Sequence, residues 1–208
     1  MISAREALGL LREGNRRFVA DRERDARVGA TRRNELTQRQ EPFAIILGCS
    51  DSRVPAEIVF DQGLGDLFVI RVAGNVVAPS QIGSVEFAAA QFHTRLVVVL
   101  GHSGCGAVVA TIDQLKRPLH KQSRNLRAIV DRVRPAVEPL LATPLRDDAQ
   151  ALMRTAVRAN VRVAASNLRH GSEILEQLIA SDGLLVVGAE YSLDTGVVEF
   201  FEGLQPES

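Results

Sequence analysis

Four short runs constrain the fold of this chain more than anything else in it. Phe43–Leu47, Leu67–Val72, Leu96–Leu100 and Leu184–Val187 are rich in Val, Ile and Leu and show no regular alternation with polar residues. Strands of that kind are covered on both faces, the condition of a parallel sheet wrapped by helices. The intervening segments supply the cover. Gln81–Phe92, Gly106–Leu115, Arg124–Leu141 and Asp148–His170 read as helices, with Pro135 and Pro139 expected to interrupt the third. In the fourth, Val157, Val161, Ala164 and Leu168 form one apolar stripe, and Gly171 stands as its C′ stop. An N-terminal helix starts at a capping box of Ser3 and Glu6 and runs to about Asp21. The polar stretch Arg22–Glu41 reads as surface loop with a short helix. After the turn residues Asp194, Thr195 and Gly196, Val197–Phe201 reads as an antiparallel hairpin strand. The expected fold is α/β: a mostly parallel central sheet with helices on both faces, an N-terminal helical arm and a C-terminal antiparallel edge strand. A chain of 208 residues suits one domain, with residues 1–41 as the arm and 42–203 as the core.

Composition removes several function classes. Lys and Arg number 25 and Asp and Glu 25, so the basic excess of a nucleic-acid binder is missing. With eight Phe, one Tyr and no Trp, base-stacking platforms are not expected either. No apolar run approaches the roughly 20 residues that span a bilayer, and the N-terminal residues lack the apolar core of a signal peptide. The expectation is a cytoplasmic protein with neither nucleic acid nor membrane as partner.

In an open α/β sheet, ligands sit beyond the carboxyl ends of the strands. Two segments fall there: Cys49-Ser50-Asp51-Ser52-Arg53 after the first run, and Gly101-His102-Ser103-Gly104-Cys105-Gly106 after the third. The second is not a nucleophile elbow, because G-x-S-x-G needs glycine where Cys105 stands. It also lacks the Gly-Lys-Ser/Thr of a phosphate loop. Taken alone, two cysteines are most often buried small residues. Here, His102 and Cys105 stand three apart on a tight loop and can point at one centre, with Cys49 as a third ligand. Cys₂His with an open fourth position is a catalytic zinc arrangement. Two thiolates cancel the charge of Zn²⁺, so such a site acidifies its water less than the pKa of ~7 reached with three histidines. A fourth ligand, Asp51, would close the site. Arg53 can hold that carboxylate in a bidentate pair, off the metal, where it can orient a zinc-bound hydroxide.

The residues Cys49-Ser50-Asp51-Ser52-Arg53-Val54-Pro55 and His102-Ser103-Gly104-Cys105-Gly106 together resemble the β-class carbonic anhydrases of the bacterial, plant-like type. The resemblance extends from the N-terminal helix through Asp61-Gln62-Gly63 and Arg71 to Tyr191–Phe201, nearly the whole chain. It implies reversible hydration of carbon dioxide to bicarbonate and a proton on one Zn²⁺ per subunit. It also implies a homodimer or a dimer of dimers, because the family's clefts lie at the subunit interface. Carried over by position, Cys49, His102 and Cys105 fall on the zinc ligands. Asp51 and Arg53 fall on the catalytic dyad, with Asp51 also the metal ligand of closed forms. Gln40, Phe68 and Phe87 fall on substrate-contacting positions, Phe87 where plant-like members have Tyr. The Gly106 N–H is a donor for a substrate oxygen. Val54, Arg71 and Tyr191 match a bicarbonate-driven switch of some members. Ile46 replaces the Trp that helps build its pocket, so an open, non-allosteric site is expected. His93, His120 and His170 are assigned no role. Two other functions use the same residues: hydrolysis of a carbon dioxide analogue such as carbonyl sulfide or carbon disulfide, and a non-catalytic zinc site closed by Asp51.

Overall fold

The strand runs assemble as one five-stranded sheet: β1 (Ala44–Gly48), β2 (Leu67–Arg71), β3 (Leu96–His102), β4 (Leu185–Tyr191) and β5 (Val198–Glu202). The computed structural model describes residues 2–22, 29–117 and 123–204, and His120 lies outside them. The spatial order is β2-β1-β3-β4-β5, parallel throughout except for the antiparallel β4–β5 pair. In chain order the helices are α1 (Ala4–Val19), α2 (Ala30–Glu35), α3 (Ala56–Val59), α4 (Pro79–Gln91), α5 (Gly106–Lys116), α6 (Arg124–Leu141), α7 (Ala149–His170) and α8 (Glu173–Ser181).

Side chains alternate across a strand, and this divides the core in two. Ala44 and Ile46 of β1 join Val98, Leu100, Val187 and Ala189 on one face, against Ala7, Leu8 and Leu11 of α1 and Val59 of α3. Ile45 and Leu47 join Val97, Val99 and Val186 on the other, against Val85 of α4, Val161, Ala164 and Leu168 of α7, and Leu175 of α8. Burying each Val, Leu or Ile contributes about 1.5–3 kcal/mol. A third cluster, carried by α5, α6 and α7, covers the carboxyl end of the sheet and contains Cys49 and Cys105. Besides this packing, α1 is held to the core by a buried amide. Asn15 Nδ2 donates to the carbonyls of Val59 (3.1 Å) and Gly196 (2.9 Å), and its Oδ1 accepts the Val198 N–H at 2.8 Å.

Several local expectations are revised. Pro135 and Pro139 do not interrupt α6, which runs through both. Both prolines lie on its exposed side, where water can solvate the carbonyls they leave unpaired. Gly171 ends α7, but as its cap at φ −109° and not as a left-handed C′ residue. Glycine is needed there for space: a Cβ would lie 2.4 Å from the Asn167 carbonyl oxygen. Two helices have no counterpart among those expected: α3, one turn and too short to show a period, and α8, whose N-cap Ser172 accepts the Leu175 N–H.

Candidate metal centre

Strand β1 has β2 on one side and β3 on the other, so the chain changes direction across the sheet between β1 and β3. Ligand crevices open at such a switch point. Cys49 follows β1 immediately, His102 is the last residue of β3, and Cys105 is the N-cap of α5. Their ligand atoms all lie within 4.8 Å of one another. All three residues are buried, His102 completely. The His102 Nδ1 faces the Ser103 carbonyl oxygen at 2.9 Å, which leaves Nε2 as the ring's free lone pair. Among the described residues Nε2, although buried, has no hydrogen-bond partner. An orphaned imidazole nitrogen beside two thiols fits a borderline-soft divalent ion, whose tetrahedral N and S ligands stand roughly 3.5–4 Å apart.

The electrostatics are those of a cation site. The adjacent Cys105 thiol, His102 and the N–H groups of Gly74 and Asp51 push the Cys49 pKa down against its burial. Cys105 is pushed up, first by sharing its proton with Cys49 and then by burial, although the first-turn N–H groups of Ala107 and Val108 oppose this. Burial works against a charged His102, yet the neighbouring Cys49 sulfur raises its pKa. Three groups that depend on one another's protons in this way are groups a dication can hold in their ligating forms.

Asp51 stands at the edge of the cluster, its Oδ2 3.8 Å from His102 Nε2. Arg53 grips it by both oxygens, Nε to Oδ1 at 2.9 Å and Nη2 to Oδ2 at 2.8 Å, and adds its own N–H to Oδ1 at 3.0 Å. That fork holds the Asp51 carboxyl well below the usual carboxylate range. Arg71 ties the loop down from β2, donating to the carbonyls of Cys49 (3.2 Å) and Asp51 (2.6 Å). Gly106, exposed, opens α5, so its N–H is one of the helix-end donors without an intrahelical acceptor.

The remaining expected residues are not brought to this cluster within one chain. Phe68 pairs in register with Ile45, three residues and roughly 10 Å before the end of β1. Its ring lies 6.3 Å from that of Phe87 and 6.0 Å from that of Phe92, and Phe87 is 53% exposed on α4. Gln40 is exposed in the segment leading into β1. Two contributors were missed. Gly74 donates its N–H to Cys49 Sγ at 3.3 Å, and Asn160 Nδ2 donates to the Gly74 carbonyl at 2.8 Å. The Gly74-Asn75 pair, three residues beyond the end of β2, is a turn signal. Asn160, a polar residue beside the apolar stripe of α7, was the second signal.

A family model of carbonic anhydrases matches residues 44–198. A carbonic anhydrase of Mycolicibacterium smegmatis is 41% identical over 91% of this chain and 89% of its own length. Carbonic anhydrase 2 of Mycobacterium tuberculosis is 40% identical over 89% of this chain and 87% of its own. Among solved structures, a β-carbonic anhydrase of Aspergillus fumigatus superposes with a TM-score of 0.72 at 28% identity, covering 83% of this chain and 81% of that one. The zinc-type donor set, the strand order and these likenesses agree: the chain belongs to the β class of the carbonic anhydrase family.

Proposed function

We propose that this chain catalyses the zinc-dependent reversible hydration of carbon dioxide to bicarbonate and a proton, with one zinc ion per subunit held by Cys49, His102 and Cys105. The observation that carries the reading is the buried, unpartnered His102 Nε2 beside two buried cysteine sulfurs at the switch point of the sheet. Zinc bound there would acidify a water molecule and so supply a nucleophile near neutral pH. The chain's own residues do the rest. Arg53 fixes Asp51 by both oxygens, and the free lone pairs of that carboxylate accept a hydrogen bond from water and set its direction. The Gly106 N–H, at the positive end of α5, donates to the oxygen of carbon dioxide on which charge develops.

Phe68, Phe87 and Gln40 act in this reading from a second copy of the chain. Their distance from the cluster within one subunit supports it, as does the half-open edge strand β2, whose residues Leu67–Ile70 are only partly covered. The working unit is then a homodimer, with a dimer of dimers as a larger form, built from single-domain subunits with residues 1–41 as the arm. The Asp51–Arg53 pair also supports an open site that bicarbonate does not switch. Among the described residues no helix is long and apolar enough to cross a membrane.

The same groups would serve hydrolysis of carbonyl sulfide or carbon disulfide, so the test compares the three substrates on zinc-replete protein. Carbon dioxide is expected to turn over fastest, and Arg53→Ala should lose that turnover while keeping its zinc. Faster consumption of either sulfur compound would reassign the substrate. A zinc-replete protein inert toward all three would make the site structural.

A further inference from the structure

The Cys49 sulfur is held by more than its own loop. It accepts the Gly74 N–H at 3.3 Å, and Gly74 sits in a tight turn at Ala73–Asn75 with an unusual backbone. Gly74 has φ 69° and Asn75 φ 44°, so two successive residues occupy the left-handed region. Asn75 carries a Cβ there, a conformation that persists only where the surroundings impose it. The space is equally specific, since a Cβ on Gly74 would lie 2.8 Å from the Ala107 Cβ. The Asn75 N–H closes the turn onto the Val72 carbonyl at 3.0 Å.

The anchor of that turn lies on another element. Asn160 of α7 is 3% exposed and donates Nδ2 to the Gly74 carbonyl at 2.8 Å. A buried amide among apolar neighbours is costly unless its hydrogen bonds are made, and this one spends its donor on the residue that supports the Cys49 ligand. Gly74 is thus gripped at its carbonyl and gives its N–H to the Cys49 sulfur. Such an N–H draws electron density from sulfur and fixes the direction of its lone pairs, the means by which groups behind a ligand tune a metal.

We propose that Asn160 is a positioning residue for the metal ligand Cys49: through Gly74 it sets the orientation and hydrogen bonding of that sulfur, and with them the affinity and Lewis acidity of the metal. The inference rests on the reading that Cys49, His102 and Cys105 hold zinc.

The test uses the full chain loaded with Co²⁺ in place of zinc, where the sulfur-to-cobalt charge-transfer band reports the thiolate directly. Asn160→Asp keeps the size of the side chain and removes the donor; Asn160→Ala removes both. In both, the band is expected at longer wavelength, with cobalt lost to a competing chelator roughly 10–100-fold more readily. Leu152→Ala, on the same helix and in the apolar cluster that contains Cys49 and Cys105, should lower Tm without moving the band. Folded Asn160 variants with the wild-type band and wild-type metal affinity would overturn the proposal. If neither variant folds, ¹¹³Cd-loaded wild type decides: coupling from cadmium to the Gly74 amide proton, together with coupling across the hydrogen bond from the Asn160 side-chain nitrogen to the Gly74 carbonyl carbon, supports the chain of contacts, and the absence of either refutes it. A wild type that takes up neither Co²⁺ nor Cd²⁺ would instead remove the metal reading itself.

Discussion

The metal cluster and the aromatic patch are both places where the sequence expects active-site residues, and they are built in opposite ways. Cys49, His102 and Cys105 are buried and brought within 4.8 Å by the ends of two neighbouring strands. Phe68 on β2, Phe87 on α4 and Phe92 at the C-cap of α4 have ring centres 5.5–6.3 Å apart and lie back from the strand ends, with Phe87 half in solvent. The first region is finished inside one chain. The second presents apolar surface that the chain alone leaves uncovered, which is the mark of an interaction surface more than of a core. Ligand geometry has to be set by rigid strand ends to within fractions of an ångström, whereas an apolar wall tolerates assembly from two subunits.

Breaking the metal cluster should have the largest effect. Cys49→Ser is expected to bring zinc content close to zero by elemental analysis and hydration to the uncatalysed rate, while sedimentation shows the same assembly as wild type. Retention of stoichiometric zinc would move the site elsewhere. Next comes Arg53→Ala, which leaves the ligands intact and frees Asp51. Turnover should fall by about 10²-fold or more with zinc retained, since a misplacement of ~1 Å at a reacting group costs that much. Unchanged turnover would end the role given to Arg53.

The aromatic patch is probed by Phe87→Ser. Because the side chain is half exposed but its ring packs on Phe68 and Phe92, stability within one chain should fall by about 1 kcal/mol. Zinc content should stay at one per chain, while the assembly weakens in sedimentation and activity drops several-fold with it. Wild-type mass and activity would show that the patch serves neither assembly nor substrate. The smallest functional effect is expected from Asn15→Ala on α1, whose side chain bonds to Val59, Gly196 and Val198 and to neither region. It leaves buried partners of the α1 amide unsatisfied and should cost about 1–3 kcal/mol in denaturant unfolding, with zinc content unchanged.

The same contrast explains what the sequence made legible. Strand positions were readable because a strand buried on both faces has few residues it can be made of, and the motifs at the ends of β1 and β3 carry their chemistry within a few residues. The Ser3–Glu6 capping box, local by nature, forms as expected. The continuity of α6 through Pro135 and Pro139 was not readable, because it depends on which side of the helix meets solvent. Nor was the link from Asn160 to Cys49, which crosses 86 residues to reach the Gly74 turn and has no local signature beyond one polar residue on an apolar face. The placement of Phe68 and Phe87 is harder still, since it follows from the register of β2 on β1 and the packing of α4 against them, neither of which has a local signature.

The most direct test of the central claim is stopped-flow carbon dioxide hydration on protein stripped of metal and then titrated with zinc. Catalysis is expected to be absent in the stripped protein and to rise in proportion to bound zinc until one ion per chain is reached. Fully reloaded protein that hydrates carbon dioxide no faster than buffer, or stripped protein that keeps its activity, would contradict the account.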